Sequence, residues 1–252
     1  MITQQQIETV LGQTIDPTTG KDYLTSKAVS DIQINQDNVS VNIELGYPAN
    51  SVLNTVHQQI EQAVRTVPGI GSITVNVTSN IIAHSAQRKL KLIPGVKNVI
   101  AVASGKGGVG KSATATNLAL ALAAEGATVA ILDADIYGPS QPQMLGVSGR
   151  PDSPDGKTIE PMRAHGIQMM SIGLLIDVET PMVWRGPMVT QALQQLLNDT
   201  LWHDLDYLVI DLPPGTGDIQ LTLAQKIPVT GAVIVTTPQD IALLDARKGL
   251  KM

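Results

Sequence analysis

Gly105-Lys106-Gly107-Gly108-Val109-Gly110-Lys111-Ser112 follows the apolar run Val99-Ile100-Ala101-Val102-Ala103 and precedes Ala113 to Ala124, a run of Ala, Leu, Thr and Asn. The first run reads as a buried strand and the second as a buried helix. Strand, glycine loop and helix in that order are the setting in which a loop wraps phosphate. The glycines let consecutive backbone N–H groups turn inward where a Cβ would block the approach. The helix that follows adds the positive end of its dipole. In the spacing G-x4-G-K-[ST], Lys111 is placed to reach the β and γ phosphates of a nucleotide, and the Ser112 hydroxyl to ligate Mg2+. ATP and Mg2+ are therefore the expected ligands, and Gly105 through Ser112 the expected cradle.

Working outward, Thr128-Val129-Ala130-Ile131-Leu132 is a second buried strand that delivers Asp133 and Asp135 at its C-terminal end. Ligand chemistry in open α/β sheets collects at that end of the strands. Asp133 is the candidate for the Mg2+ shell and Asp135 for orienting an attacking water, although either could simply cap the following turn. Tyr207-Leu208-Val209-Ile210 is a further buried strand ending in Asp211, the Walker B form, whose carboxylate holds the metal shell. Behind it stands Leu212-Pro213-Pro214-Gly215-Thr216-Gly217-Asp218, where prolines stiffen the loop and glycines free its backbone. Pro214, Gly215, Thr216 and Gly217 are expected to form a switch that moves on hydrolysis. The catalytic set read from the motifs is then Lys111 and Asp135, with Ser112, Asp133 and Asp211 around the metal.

The segments between these motifs are less informative. Ile136 to Pro142 is too rich in Gly and Pro to read as helix, Ser148 to Gly156 reads as an exposed excursion, and Ile167 to Leu175 as a strand. Trp184-Arg185-Gly186-Pro187-Met188 leads into a helix from Val189 to Leu197, and Arg185 could meet a phosphate, a carboxylate or a surface partner. The methionines from Met162 to Met188 read as core filling, and His57, His165 and His203 as structural. Ala232 to Thr236 reads as the last strand, with a helix from Ile241 onward.

Ahead of the glycine loop the pattern changes. Thr3 to Gln13 reads as a short helix, and Ile32 and Ile34, then Val39, Val41, Ile43 and Leu45, alternate with polar residues across Gln36-Asp37-Asn38 as a half-buried hairpin. Leu53, Val56, Ile60, Ala63, Val64 and Val67 fall on one helical face, and Ile73, Val75 and Val77 alternate again. Residues 1–80 are thus expected as a small α-β-β-α-β domain. Residues 81–98, with Arg88, Lys89, Lys91 and Lys97 and no acid, form a linker, and residues 99–252 an α/β domain with a mainly parallel sheet and helices on both faces.

The 252 residues are 43 % hydrophobic but only 2 % aromatic and hold no Phe, so any core is built from Ala, Val, Ile and Leu, as suits a sheet buried on both faces. A net charge of -5 argues against a bulk electrostatic grip on nucleic acid or anionic lipid. No run reaches membrane-spanning length and no secretory leader opens the chain, which sets the expectation of a cytoplasmic protein with neither membrane nor nucleic acid as partner. With no cysteine, the chain has no disulfide framework and no thiolate metal site.

The second loop lysine, Lys106, makes the loop resemble the deviant Walker A motif K-G-G-x-G-K-[ST] of the MinD/ParA/ArsA class. That likeness implies an ATP-sandwich dimer in which Lys106 reaches the partner's nucleotide, much as an arginine finger does. Taken together, the loop, Asp133-Ala134-Asp135-Ile136-Tyr137-Gly138-Pro139-Ser140, Trp184-Arg185-Gly186-Pro187-Met188 and Asp211-Leu212-Pro213-Pro214-Gly215-Thr216-Gly217-Asp218 resemble the Mrp/ApbC family of ATP-binding iron-sulfur cluster carriers. The resemblance covers essentially the whole chain, the N-terminal unit looking like the small domain often fused to bacterial members. It implies a homodimeric P-loop ATPase that binds a 4Fe-4S cluster and passes it to apo-proteins, with iron-sulfur assembly proteins and recipient apo-proteins as partners.

The chain departs from that pattern in one respect. Members of the family carry a C-x-x-C pair and an Asn-containing, adenine-contacting strand downstream of the Pro-Gln-Asp segment, and this chain has neither. The expectation is of a C-terminally truncated carrier with no cluster ligands of its own and an uncovered apolar sheet edge. The competing readings are a ParA/MinD-like positioning ATPase and a truncated, non-catalytic partner subunit.

Overall fold

The computed structural model describes residues 2–84, 90–175, 186–215, 217 and 225–250. Two units are distinguished, Met1–Ile82 and Ala83–Met252.

In the first unit, Thr3 and Gln6 cap helix α1 (Gln4–Leu11) reciprocally: the Thr3 hydroxyl accepts from the Gln6 N–H at 3.4 Å and Gln6 Oε1 from the Thr3 N–H at 2.9 Å. Strands β1 (Val29–Asn35) and β2 (Asn38–Leu45) pair antiparallel, with Gln36 left-handed in the turn (φ 59°). Helix α2 (Leu53–Arg65) leads to β3 (Ser72–Ser79), which runs parallel to β2 and leaves it central in the order β1-β2-β3. The period-2 residues Val39, Val41, Ile43 and Leu45 all point to the core, where α2 lays Val56, Ile60 and Val64 at four-residue spacing. Ile7, Leu11 and Tyr23 complete it. The buried Asp16 carboxylate fixes the turn after α1 by accepting from the Tyr47 hydroxyl at 2.8 Å and from the Thr18 N–H and Thr19 hydroxyl, each at 2.9 Å.

The second unit is a six-stranded sheet flanked by helices. Strand β4 (Val96–Ser104) runs into the glycine loop and helix α3 (Lys111–Ala124), then come β5 (Val129–Asp133), the short helix α4 (Gln141–Leu145) and the hairpin β6 (Met162–Ala164) and β7 (Ile167–Ser171). Helix α5 (Gly186–Asp199), β8 (Leu205–Asp211), β9 (Gly231–Val235) and α6 (Asp240–Leu250) follow. The order across the sheet is β6-β7-β5-β8-β4-β9, every pair parallel except β6 with β7. Both faces are largely buried along the inner strands β7, β5, β8 and β4, while β9 is exposed or half-buried throughout. Val99, Ala101, Ala130, Leu132, Leu208 and Ile210 share a core with Val189, Leu193 and Leu196 of α5, while α3 packs its small residues Ala115 and Ala119 on β4, β5 and β8. Met169 and Met170 are fully buried in β7. Ala-rich α3 has little side-chain bulk between it and the sheet, which brings the start of the helix close to the strand ends.

Several local expectations are corrected. Gln141 and Pro142 are not loop but open α4, because Pro in the first helical turn loses no hydrogen bond that the helix needs. The strand expected over Ile167 to Leu175 stops at Ser171, whose hydroxyl accepts from the Gly173 N–H at 3.1 Å and turns Ile172–Leu174 into a 3-10 helix. Strand β6 carried no signal of its own. It exists because His165 and Gly166 both take left-handed backbone (φ 51° and 80°), the geometry of a two-residue hairpin turn. Helix α3 starts two residues before Ala113, so Lys111 and Ser112 lie in its first turn. Strand β9 forms one edge of the sheet, and α6 exposes Ile241, Leu244 and Leu250.

Because the first unit closes its own apolar core, residues 1–82 produced alone should unfold in a single cooperative transition on urea titration, and Ile60→Ala should lower its stability by about 2–4 kcal/mol. A broad, non-cooperative unfolding curve for the isolated segment would contradict its independence.

Candidate functional site

The parallel register aligns the C-terminal ends of three neighbouring strands: Asp133 of β5 is opposite Asp211 of β8, and Asp211 is opposite Val102 of β4, two residues before that strand ends at Ser104. The three strands therefore deliver their C-terminal ends to the same place. Gly108 and Gly110 take left-handed backbone (φ 76° and 89°), and a Cβ placed on Gly107, Gly108 or Gly110 would meet nothing within 4 Å. The space over these glycines is open, and Gly110 stands at the N-cap of α3. Gly105 is different: a Cβ there would lie 2.7 Å from Asp245 Cβ, so this glycine permits close approach of α6. The Ser104 hydroxyl donates to the Lys106 carbonyl at 2.9 Å, while the Lys106 side chain is exposed.

Inside the cradle, Lys111 is 6 % exposed and Asp211 not at all. The Lys111 ammonium pairs with Asp211 Oδ1 and also donates to the Ser112 hydroxyl at 3.2 Å. The other Asp211 oxygen accepts from Gln141 Nε2 at 2.9 Å. Gln141, also fully buried, donates from the same nitrogen to the Ser112 carbonyl at 3.1 Å, and its Oε1 accepts from the Thr116 hydroxyl at 2.7 Å.

Asp133 is held by backbone. Its Oδ2 accepts from the N–H groups of Ser140 at 2.9 Å and Gln141 at 3.0 Å and from the Ser171 hydroxyl at 3.2 Å, and its Oδ1 from the Asp135 N–H at 3.2 Å. Burial pushes its carboxyl up from 3.8 to about 6; these N–H groups work against the shift and the Asp211 charge adds to it. Burial raises the Asp135 carboxyl as well, opposed by the Lys111 charge. Asp135 Oδ1 accepts from the Gly138 N–H at 3.3 Å.

The loop behind β8 is tied to the glycine loop through Gly215 (φ 110°), whose N–H donates to the Ser104 carbonyl at 2.8 Å. Gly217 is exposed; Thr216, Asp218, Trp184 and Arg185 lie outside the described residues, as do Arg88 and Lys89. Lys111, Ser112, Asp133, Asp135 and Asp211 thus stand together at one end of the sheet, with Lys106 on the loop's outer side. Of the histidines, His203 pairs with Glu160 at 2.8 Å, away from this cluster in the chain's topology, and among the described residues no group of three or more His, Asp or Glu is arranged to hold a metal.

Sequence reading passed over Gln141 and Thr116. A signal existed for Thr116: it lies four residues after Ser112, on the buried face of α3, where a polar side chain needs a partner. Gln141 had none, since it sat in a stretch read as irregular.

A parallel sheet whose β4–α3 loop is a glycine cradle, with lysine and acid converging on it, defines a P-loop NTPase. The chain belongs to the NUBPL iron-transfer P-loop NTPase family, whose model matches residues 95–252; residues 4–77 match the model of an iron-sulfur cluster assembly protein. An iron-sulfur cluster carrier protein of Salmonella typhimurium is 53 % identical over 237 residues, which are 94 % of this chain and 64 % of the relative. One from Pseudomonas fragi is 61 % identical over 195 residues, 77 % of this chain and 68 % of the relative. This chain therefore spans about two thirds of the length of these relatives. A nucleotide-binding protein from Archaeoglobus fulgidus, solved in complex with ADP, superposes with a TM-score of 0.54 at 40 % identity, over 62 % of this chain and 61 % of that one. No described helix is long and apolar enough to cross a membrane.

The raised Asp133 carboxyl has a consequence for stability. The folded state binds this proton more tightly than the unfolded chain does, so the group adds stability as pH falls from above 6 toward 4 and that contribution is lost as pH rises through 6. In thermal melts of nucleotide-free protein, Asp133→Asn should flatten the rise in melting temperature between pH 7.5 and 5. Parallel pH profiles for the two proteins would contradict it.

Proposed function

We propose that this chain is the nucleotide-binding and nucleotide-hydrolysing part of an iron-sulfur cluster carrier, which transfers a 4Fe-4S cluster to apo-proteins under control of ATP. The observation that carries the reading is the glycine cradle, open to the approach of a polyphosphate, with the buried Lys111–Asp211 pair at its floor. The match to an iron-transfer P-loop NTPase family supports the iron-sulfur cargo in this reading. The chain itself has no cysteine, so thiolate ligands for a cluster are not among its 252 residues.

The residues fit ATP with Mg2+. Asp133, Asp135 and Asp211 against Lys111 leave an excess of negative charge in a buried site, which a polyphosphate alone would worsen and a divalent cation offsets. The donors are carboxylate and hydroxyl oxygens, suited to a hard cation. Ser112, Asp211 and Asp133 would hold Mg2+, which when bound neutralises charge developing on the phosphates. Lys111 leaves Asp211 for the β and γ phosphates, and the loop N–H groups orient them. Asp135 accepts the proton of the attacking water, a role to which its burial-raised carboxyl suits it. Lys106 acts in a homodimer, where its exposed ammonium reaches the partner's nucleotide. The Gly215–Ser104 hydrogen bond couples the loop of Pro214, Gly215, Thr216 and Gly217 to occupancy of the cradle.

Calorimetric titration and phosphate release test these roles. Lys111→Ala should weaken ATP binding about a hundredfold. Asp135→Asn should leave binding within about threefold and slow hydrolysis about a hundredfold. Lys106→Ala should lower turnover in proportion to protein concentration, its deficit fading under dilution as dimers are lost. Wild-type turnover in the Asp135 variant would remove that residue from its role. ATP-dependent sedimentation with DNA or lipid vesicles, instead of iron-dependent transfer, would favour a ParA/MinD-like positioning ATPase.

A further inference from the structure

Gln141 has its whole side-chain carboxamide and its backbone N–H engaged in the site. Both protons of Nε2 are committed, one to the Ser112 carbonyl at 3.1 Å and one to Asp211 Oδ2 at 2.9 Å, while Oε1 accepts from Thr116 at 2.7 Å and the backbone N–H donates to Asp133 Oδ2 at 3.0 Å. The orientation of the carboxamide follows from that network, because a flipped amide would aim its oxygen at two acceptors. No part of the residue is exposed. A single side chain on α4 therefore ties the first turn of α3 to the acid of β8, and its backbone ties both to the acid of β5.

We propose that Gln141 is a positioning residue for the Mg2+-nucleotide, holding the Asp211 carboxylate and the Ser112 turn in fixed relation. This rests on the nucleotide reading of the site and deepens it. The physical need is specific. Asp211 is oriented from both sides, by Lys111 at Oδ1 and by Gln141 at Oδ2. Once phosphate draws Lys111 away, the amide remains as the restraint on the carboxylate, and a charge-assisted hydrogen bond of this kind is among the stronger neutral-to-ionic contacts a protein makes. Without it the carboxylate turns freely about its last torsion, and the metal must order it at a cost in affinity. Ser112, the other metal-facing group, is held through its carbonyl by the same nitrogen. Thr116 belongs to the same network, its hydroxyl shared between the amide oxygen at 2.7 Å and the Ser112 carbonyl at 2.9 Å.

Gln141→Met tests this, since the thioether keeps the length and bulk of the side chain and donates nothing. ADP affinity is measured by calorimetry with EDTA and with Mg2+, alongside a thermal melt of each protein. The expected result is ADP affinity without Mg2+ within about threefold of wild type, and a gain on adding Mg2+ reduced about tenfold, with the half-saturating Mg2+ concentration raised to match. Thr116→Val, in which a methyl replaces the hydroxyl, should reduce the Mg2+ gain in the same direction by about threefold, and it serves as the test should the methionine variant not fold. An unchanged Mg2+ gain in these variants overturns the proposal. So does an equal loss of affinity with and without Mg2+, which marks a role in packing alone. If wild-type protein itself shows no Mg2+-dependent affinity for ADP, the nucleotide reading fails and the proposal with it.

Discussion

The structure is organised around a lysine and three carboxylates buried at one end of a parallel sheet. Isolated charges in a protein interior cost several kcal/mol each, so such a cluster persists only where each member has partners. Here Asp211 is shared between the Lys111 ammonium and the Gln141 amide, and Asp133 is surrounded by N–H groups of the segment entering α4. Those partners dictate local form. The chain after β5 must turn so that Ser140 and Gln141 face Asp133, and α4 begins at the point where that turn is satisfied. The short helix is in this sense a product of the acid it caps.

Parallel pairing is what allows the cluster to assemble from distant parts of the chain. Asp133 and Asp211 are far apart in sequence and become neighbours because β5 and β8 end in the same register. A sheet buried on both faces favours apolar side chains along its strands and admits polar ones where they are paired, as Asn98 and Gln168 are, so unpaired charge collects at strand ends. The strand β5 is buried throughout, and its acid lies where the apolar run stops. Chemistry at the C-terminal edge is therefore a consequence of how the sheet excludes water, and the small residues of α3 let the glycine loop and its lysine close over that edge.

Much of this was legible in the amino-acid sequence for the same reason. The apolar runs of β4, β5 and β8 and the glycine loop are local patterns, and local patterns specify strands, turns and helix starts without knowledge of what they pack against. The first unit was equally open to reading because period two in β2 and period four in α2 are set by a single core. What escaped depended on contacts across the fold. Ser171 ends β7 by bonding to Gly173 and to Asp133, and β6 forms because His165 adopts a left-handed turn, neither of which composition reveals. Gln141 lay in a stretch whose prolines and glycine suggested irregular chain, and only the position of Asp211 shows why a buried amide is needed there.

The Lys111–Asp211 pairing also explains how such a site can be both stable and receptive. A buried ion pair adds little net stability, because the attraction is spent on desolvating its members. Exchange of partners is then inexpensive. If phosphate takes the lysine and a cation takes the carboxylate, the number of buried unpaired charges does not change, and neither Lys111 nor Asp211 has to pass through an isolated state. Asp133 contributes to the same balance from the other side. With its carboxyl raised to about 6, it keeps a larger protonated fraction at neutral pH than an ordinary carboxylate does, though it is mostly ionised there, and burial beside Asp211 is part of the cause. A divalent cation held nearby would favour the ionised form further. The site thus carries its charges in a form ready to be exchanged, and the fixed elements are the ones that do not titrate: the loop N–H groups, the Gln141 amide and the backbone around Asp133.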